Sequence, residues 1–363
     1  MRSGLRKKLD DFYSVVENRY RAYARTKYIK KILKEMGGGN KNFDSYYEEY
    51  KKYWLKYGQK PSKMWLRLYS KDEEGFNPRY IPDNLWFGKI IPYYSNMMFR
   101  RPYEDKNFHD KLFFDLNRPI TIGKCIAGIY FENQGNIISK EHLVDIILEG
   151  DNAIMKPSID SGSGRLIQFF DKGIDKREDV YKKIDVLGQN FIVQKIVTQH
   201  EKINAINPKS LNTIRVITFL FGNEVHILSS IFRMGAGNSR VDNVSAGGLQ
   251  INIDSQGCLV KEAMDTDRNK YESHPNSKVK FEGYELPGYK KILDTISVQH
   301  KKLPHFKIIG WDFAVDQNEE PVFIEYNTCP DQNQMTARPT FGDLTEKVLE
   351  DVFITQQYKN AQN

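Results

Sequence analysis

Asp312 and Glu325, with Asn327 two residues further on, lie in two apolar runs joined by the turn 317–320. If the runs are strands of a hairpin with that loop, Asp312 falls opposite Glu325. Strand side chains alternate between faces. One face then holds Trp311, Phe313, Val315, Val322, Ile324 and Tyr326, all apolar or aromatic, and the other holds Asp312, Asp316, Glu325 and Asn327. Facing carboxylates repel unless something neutralises them. A divalent cation held by oxygen ligands, Mg²⁺ above all, would do so. A solvated polar face on an ordinary amphipathic hairpin is the other reading, and the hairpin alone does not choose between them.

Cations come from elsewhere in the chain. Lys156 ends the apolar run Ala153–Lys156 and precedes a loop with Ser158, Ser161, Gly162, Ser163 and Gly164. Small residues let backbone N–H groups approach an anion, as in backbone nests. A strand-like run follows this loop, so it matches neither the P-loop nor the dinucleotide fingerprint. Arg215 sits among Ile214, Val216 and Ile217, where a guanidinium needs an anion or a solvated edge. Continuous pairing about the hairpin turn Gly222-Asn223 would set Arg215 opposite Ser230 and Arg233 opposite Asn212. The two arginines would then occupy opposite sheet faces, and would share one site only across a bulge or bend.

Taken together, the motifs resemble the ATP-grasp superfamily of ligases. They run in the order Asp110-Lys111-Leu112, Met155-Lys156-Pro157-Ser158, 191–201, then Asp312 and Glu325-x-Asn327. The ends are similar to D-alanine–D-alanine ligase. Asn212-Thr213-Ile214-Arg215, Arg233-Met234-Gly235, Asp242-Asn243 and Ala246-Gly247-Gly248 more closely resemble the sugar-transfer-associated members linked to cell-surface polysaccharide assembly. The resemblance covers roughly residues 78–350. It implies an α/β (α+β) ATP-grasp fold in which two α+β subdomains grip ATP. Lys111 and Lys156 would contact the phosphates, and Ser161, Gly162, Ser163 and Gly164 would close over them. Gln194, Lys195 and Val197 would hold adenine, with Gln194 where Glu is usual, and Glu201 would bind ribose. Asp312, Glu325 and Asn327 would bind one or two Mg²⁺, with Mn²⁺ as a substitute, and Arg215 and Arg233 would steady an acyl phosphate. Asn243 and Gly247-Gly248 would border the acceptor. The activity implied is carboxylate–amine ligation through an acyl phosphate, on a cell-surface (capsule-type) polysaccharide or its precursor. The alternatives are kinase-like transfer to a sugar hydroxyl and non-catalytic nucleotide binding.

These residues need strands and turns to position them, and the chain supplies both after Asp110. Before it, apolar residues at Leu5, Leu9, Phe12, Val16 and Tyr20 have helical spacing up to the terminator Gly37-Gly38-Gly39. An aromatic-rich, mainly helical region follows. The expected organisation is a basic N-terminal region, 1–105; a small subdomain with the phosphate loop, 106–190; and a large subdomain with the metal site, 191–363.

Composition limits the alternatives. Of 363 residues 40% are hydrophobic and 28% charged, which excludes a disordered chain. No apolar run reaches a membrane span, and no secretory signal follows the basic start. Cys125, Cys258 and Cys329 are too far apart for a disulfide framework or a zinc site, which suits a reducing cytoplasm. Residues 1–60 carry 16 Lys/Arg against 7 Asp/Glu, and the rest 38 against 40, so the basic excess belongs to the N-terminal segment. That segment reads as a solvated helical layer, as a peripheral contact to acidic lipids at the inner membrane face, or as a binder of polyanionic saccharide. No nucleic-acid-reading motif accompanies the charge, so nucleic acid is not an expected partner.

Overall fold

A computed structural model describes residues 2–70, 75–159, 164 and 166–355. The helical spacing of the N-terminal segment becomes one helix, α1 (Arg2–Glu35). It stops where Gly37, Gly38 and Gly39 all take positive φ. At Gly39 a Cβ would lie 2.7 Å from Leu33 Cδ2 and 2.9 Å from the Arg67 carbonyl, so the turn requires glycine there. Short helices then bury Trp54, Trp65 and Trp86.

Two antiparallel sheets follow. The first has six strands in the order β3-β2-β1-β6-β4-β5. These are β1 (Thr121–Ile126), β2 (Ile129–Glu132), β3 (Ile137–Ile138), β4 (Ala153–Pro157), β5 (Gln168–Phe170) and β6 (Phe191–Lys195). Helices Lys140–Glu149 and Arg177–Leu187 pack on it around Leu143, Ile147, Val180 and Ile184. The second has seven strands in the order β11-β10-β9-β8-β7-β12-β13. They are β7 (Thr213–Phe221), β8 (Glu224–Met234), β9 (Leu249–Ile253), β10 (Leu259–Met264), β11 (Lys270–Tyr271), β12 (Ile308–Val315) and β13 (Pro321–Asn327).

One expected boundary moves. β6 lies between β1 and β4 in the first sheet, so that subdomain runs through Lys195 instead of ending at 190. The crossover to the second sheet is 196–212. Sequence order misled here because β6, the last strand of its subdomain along the chain, returns to the centre of its own sheet. The N-terminal helical region likewise extends past 105, through the helix His109–Leu112.

The second sheet is covered unequally. One face packs Ile214, Val216, Trp311 and Phe313 against helix Tyr289–Gln299. On the other face Ile217, Phe219 and Ile308 pack against the N-terminal helices and the C-terminal segment 341–353. The remainder of that face, where Thr213, Arg215 and Arg233 sit, opens onto the first sheet.

Register decides which side chains reach this opening. At the β7–β8 turn Gly222 and Asn223 have φ of 58° and 70°, the left-handed pair of a tight hairpin. Pairing then slips: Thr218 faces Ile227 but Ile217 faces Ser229, leaving Leu228 as an extra residue. This bulge sets Arg215 opposite Ile231 and Arg233 opposite Thr213, not opposite Ser230 and Asn212. Both arginines therefore share a face. A second bulge, at Ile324, follows the pairs Asp312–Glu325 and Phe313–Phe323. It moves Phe323 into the core and leaves Ile324 lining the cleft, the reverse of strict alternation.

Candidate functional site

The cleft between the sheets has a volume of about 450 Å³. It is lined by the cations Lys106, Lys156 and Arg233, the carboxylates Asp312 and Glu325, and the apolar Ile154, Ile167 and Val197 among others. Asp312, Arg215 and Glu325 form one row across β7, β12 and β13.

Cations from both sheets neutralise the two carboxylates. Arg215 is bidentate on Asp312, with Nε donating to Oδ1 at 2.7 Å and Nη2 donating to Oδ2. Arg233 Nη2 is 3.2 Å from the same Oδ2 and 3.4 Å from Asp242 Oδ2. The Thr213 hydroxyl donates to Asp242 and accepts from Arg233. Burial works against charge on Arg215, but Asp312 outweighs it and raises the guanidinium's pKa. Lys106 Nζ is 3.0 Å from Glu325 Oε2. Burial disfavours ionised Glu325, yet Lys106 and Lys156 hold its carboxyl well below the usual range. Lys156 is buried; desolvation and repulsion from Lys106 bring its pKa down to about 8.

Asp312, one of the expected metal ligands, anchors the two arginines in this structure. Glu325 lines the cleft and offers hard oxygen donors; half-buried Asn327, two residues further along β13, does not line it, and its amide nitrogen is buried without a partner. By donor chemistry those two residues fit Mg²⁺ arriving with phosphate.

The remaining expected residues divide. Gln194, Lys195 and Val197 line the cleft, and Gln194 Oε1 is buried without a partner, an acceptor free for an exocyclic amine. Gly164 lines it against Asn243, where a Cβ on Gly164 would come 2.4 Å from Asn243 Oδ1. Ser161, Gly162 and Ser163 lie outside the described residues. Lys111 does not line the cleft. In the helix His109–Leu112, His109 turns inward to stack on Tyr326, and Lys111 is left exposed. Lys106 stands in the cleft instead. The same Asp-Lys dipeptide occurs at Asp105-Lys106, where Asp105 caps a 3-10 turn by accepting from the Asn107 N–H, and that repeat was the available signal. Glu201 is exposed at the start of helix Glu201–Ile206, and Asn204 from that helix reaches the cleft.

Other contributors carried no sequence signal. Gln199 donates to the carbonyls of Asn207 and Ser210 and accepts from the Asn212 N–H, which fixes the crossover beneath the cleft. Arg240 stacks on Phe169 at 3.9 Å and is bidentate on Asp171, joining the loop after β8 to the first sheet.

The chain matches the family model described as sugar-transfer associated ATP-grasp over residues 93–345. No curated protein matches it in sequence. Among solved structures it is similar to the VanG D-Ala:D-Ser ligase from Enterococcus faecalis, at 14% identity and a TM-score of 0.41, over 69% of this chain and 61% of that one. D-alanine–D-alanine ligase from Bacillus anthracis gives 14% identity and 0.40, over 76% and 71%. Biotin carboxylase from Campylobacter jejuni gives 14% and 0.42, over 70% and 46%. The chain thus spans about three fifths of the first of these proteins and less than half of the last.

Proposed function

Because the chain belongs to the sugar-transfer associated ATP-grasp family, we propose that it is an ATP- and Mg²⁺-dependent carboxylate–amine ligase. The observation that carries this reading is the gathering of Lys106, Lys156, Arg233 and Glu325 in one cleft that Ile154, Ile167 and Val197 also line. Adenine would lie against Ile154 and Val197, its amine donating to Gln194 Oε1. Lys106 and Lys156 would hold the phosphates as charge-assisted donors. Glu325 and Asn327 would hold the metal, which when bound spreads the charge of the transferring phosphoryl group.

The acid's carboxylate oxygen attacks the γ-phosphorus, and the bond to the β-phosphate oxygen breaks to release ADP. The amine then attacks the acyl carbon, phosphate leaves, and the nitrogen loses a proton. Arg233, fixed by Asp312 and Asp242, faces this space and would balance the anion formed in both steps. No side chain need become covalently attached. The cleft lining also includes Lys209, Ser210 and Asn243, which suits an acidic, hydroxyl-rich acyl donor. With the family's sugar-transfer description, this favours a uronic-acid-bearing glycan or its precursor.

The test is ADP release in the presence of paired acids and amines, followed by mass spectrometry. Ligation is expected to yield ADP, free phosphate and a product joined with loss of water. Phosphate retained on a sugar hydroxyl would make the protein a kinase, and nucleotide binding without turnover by any acid–amine pair would make it a binding protein.

A further inference from the structure

Between Leu9 and Tyr23, α1 turns outward a side that no described residue covers. Leu9, Phe12, Tyr13, Val16, Tyr20 and Tyr23 recur at the three- and four-residue spacing of one helix face and are 48–68% exposed. The helix is held from its other side. Ala22 lies against Gly88, Arg25 Nε donates to Asp83 at 2.7 Å, and Ile29 and Leu33 enter the core. The outer face is thereby fixed toward solvent. Farther along the same face Lys27, Lys30, Lys31 and Lys34 are exposed. Glu17 is engaged by Arg21 and Glu35 by Lys31.

We propose that this face docks on an anionic lipid surface, with the aromatic stripe in the interface and the lysines on the headgroups. Charge complementarity selects this occupant. The excess of +9 over residues 1–60 is attracted to acidic lipid, whereas a second copy would set like charge against like. Tyrosine suits the interface, where its ring is buried and its hydroxyl stays wet. No described helix is long and apolar enough to cross a membrane, so the contact is peripheral.

Co-sedimentation of the full chain with phosphatidylglycerol–phosphatidylcholine vesicles tests this, with pure phosphatidylcholine as reference. Binding to the anionic vesicles is expected, weaker on pure phosphatidylcholine by on the order of tenfold or more and falling with added salt. Lys27→Glu/Lys30→Glu and, separately, Phe12→Ser/Tyr20→Ser should each weaken it by at least about tenfold while thermal melting and nucleotide binding stay unchanged. Equal binding to both vesicle types, or anionic binding that neither variant weakens, would overturn the proposal. So would a lipid-free dimer, seen by light scattering, that the Phe12→Ser/Tyr20→Ser variant dissociates.

Discussion

Lys106 and Lys111 each follow an aspartate, and only Lys106 enters the cleft, so the two make a matched pair of tests. Lys106→Met should weaken ATP binding by about tenfold or more, the loss expected for one charge-assisted hydrogen bond. Lys111→Met should leave affinity within about twofold. Calorimetric titration distinguishes them. Lys156 supplies the pH dependence. Its pKa lies at about 8 in the free protein, against 10.5 ordinarily, because burial and Lys106 disfavour its charge. Polyphosphate favours the charged form, so ATP binding should take up a proton near and above pH 8, and affinity should fall as pH rises further. Titrations in buffers of different ionisation enthalpy would show it; a proton count of zero at pH 8.5 would contradict this assignment. Glu325→Ala should abolish turnover, losing on the order of 100-fold or more. At this scale the sequence exposed residue types: Asp312, Glu325, Gln194 and Arg233 line one cleft and Arg215 joins them through Asp312, although continuous pairing would set the two arginines on opposite faces. Their pairing was not legible. That Asp312 would be held by arginines depends on β12 pairing with β7, far away in sequence, and on the register of the β7–β8 hairpin.

Elements carry the next level of information, and here the sequence fell short for a definite reason. The β12–β13 hairpin was legible because its alternation is strong and its loop short. β1, β2, β10 and helices Lys140–Glu149 and Arg177–Leu187 went unread, since they are short and most mix charged residues with apolar ones. Bulges leave no compositional mark, yet the one at Leu228 is what sets Arg215 and Arg233 on one face. Another element-scale feature is the Arg240 contact with Phe169 and Asp171, which ties the loop after β8 to β5 and its following turn across the cleft. Arg240→Ala should leave the fold stable, because the ion pair is partly exposed to solvent. It should release bound nucleotide faster, by on the order of tenfold, in stopped-flow displacement with a fluorescent analogue. An unchanged release rate would show that the contact does not close the cleft.

For the molecule as a whole, the N-terminal layer proves to be integral. Trp86 Nε1 donates to the Pro330 carbonyl at 2.8 Å, and Arg25 reaches both Asp83 and Asp331, so helices from the first quarter of the chain brace the segment leaving β13. The charge arithmetic located the basic surplus but could not show that the helix carrying it is half anchored. Global stability should respond to acid. His300 is fully buried between the Thr218 hydroxyl and the Phe306 carbonyl, and desolvation lowers its pKa from 6.5 to about 4. A depressed folded-state value means that its stabilising effect is full above pH 6.5 and is lost as pH falls toward 4. At pH 5 the loss from His300 alone is about 2 kcal/mol. Urea unfolding at pH 7 and pH 5 should show it, and His300→Gln should lessen the difference between the two curves. Burial also depresses His109 and His274, which adds in the same direction.

The bulge at Leu228 has a consequence for how this chain can vary in length. A strand that already contains one unpaired residue has slack in one direction. Deleting Leu228, or any single residue from there to Phe232, can be absorbed by regular pairing that still sets the arginine beside Thr213. Inserting one residue in the same stretch turns that arginine to the opposite face, away from Asp312. In-frame codon losses in β8 should therefore be tolerated at this site where in-frame gains are not, even when both leave a folded sheet.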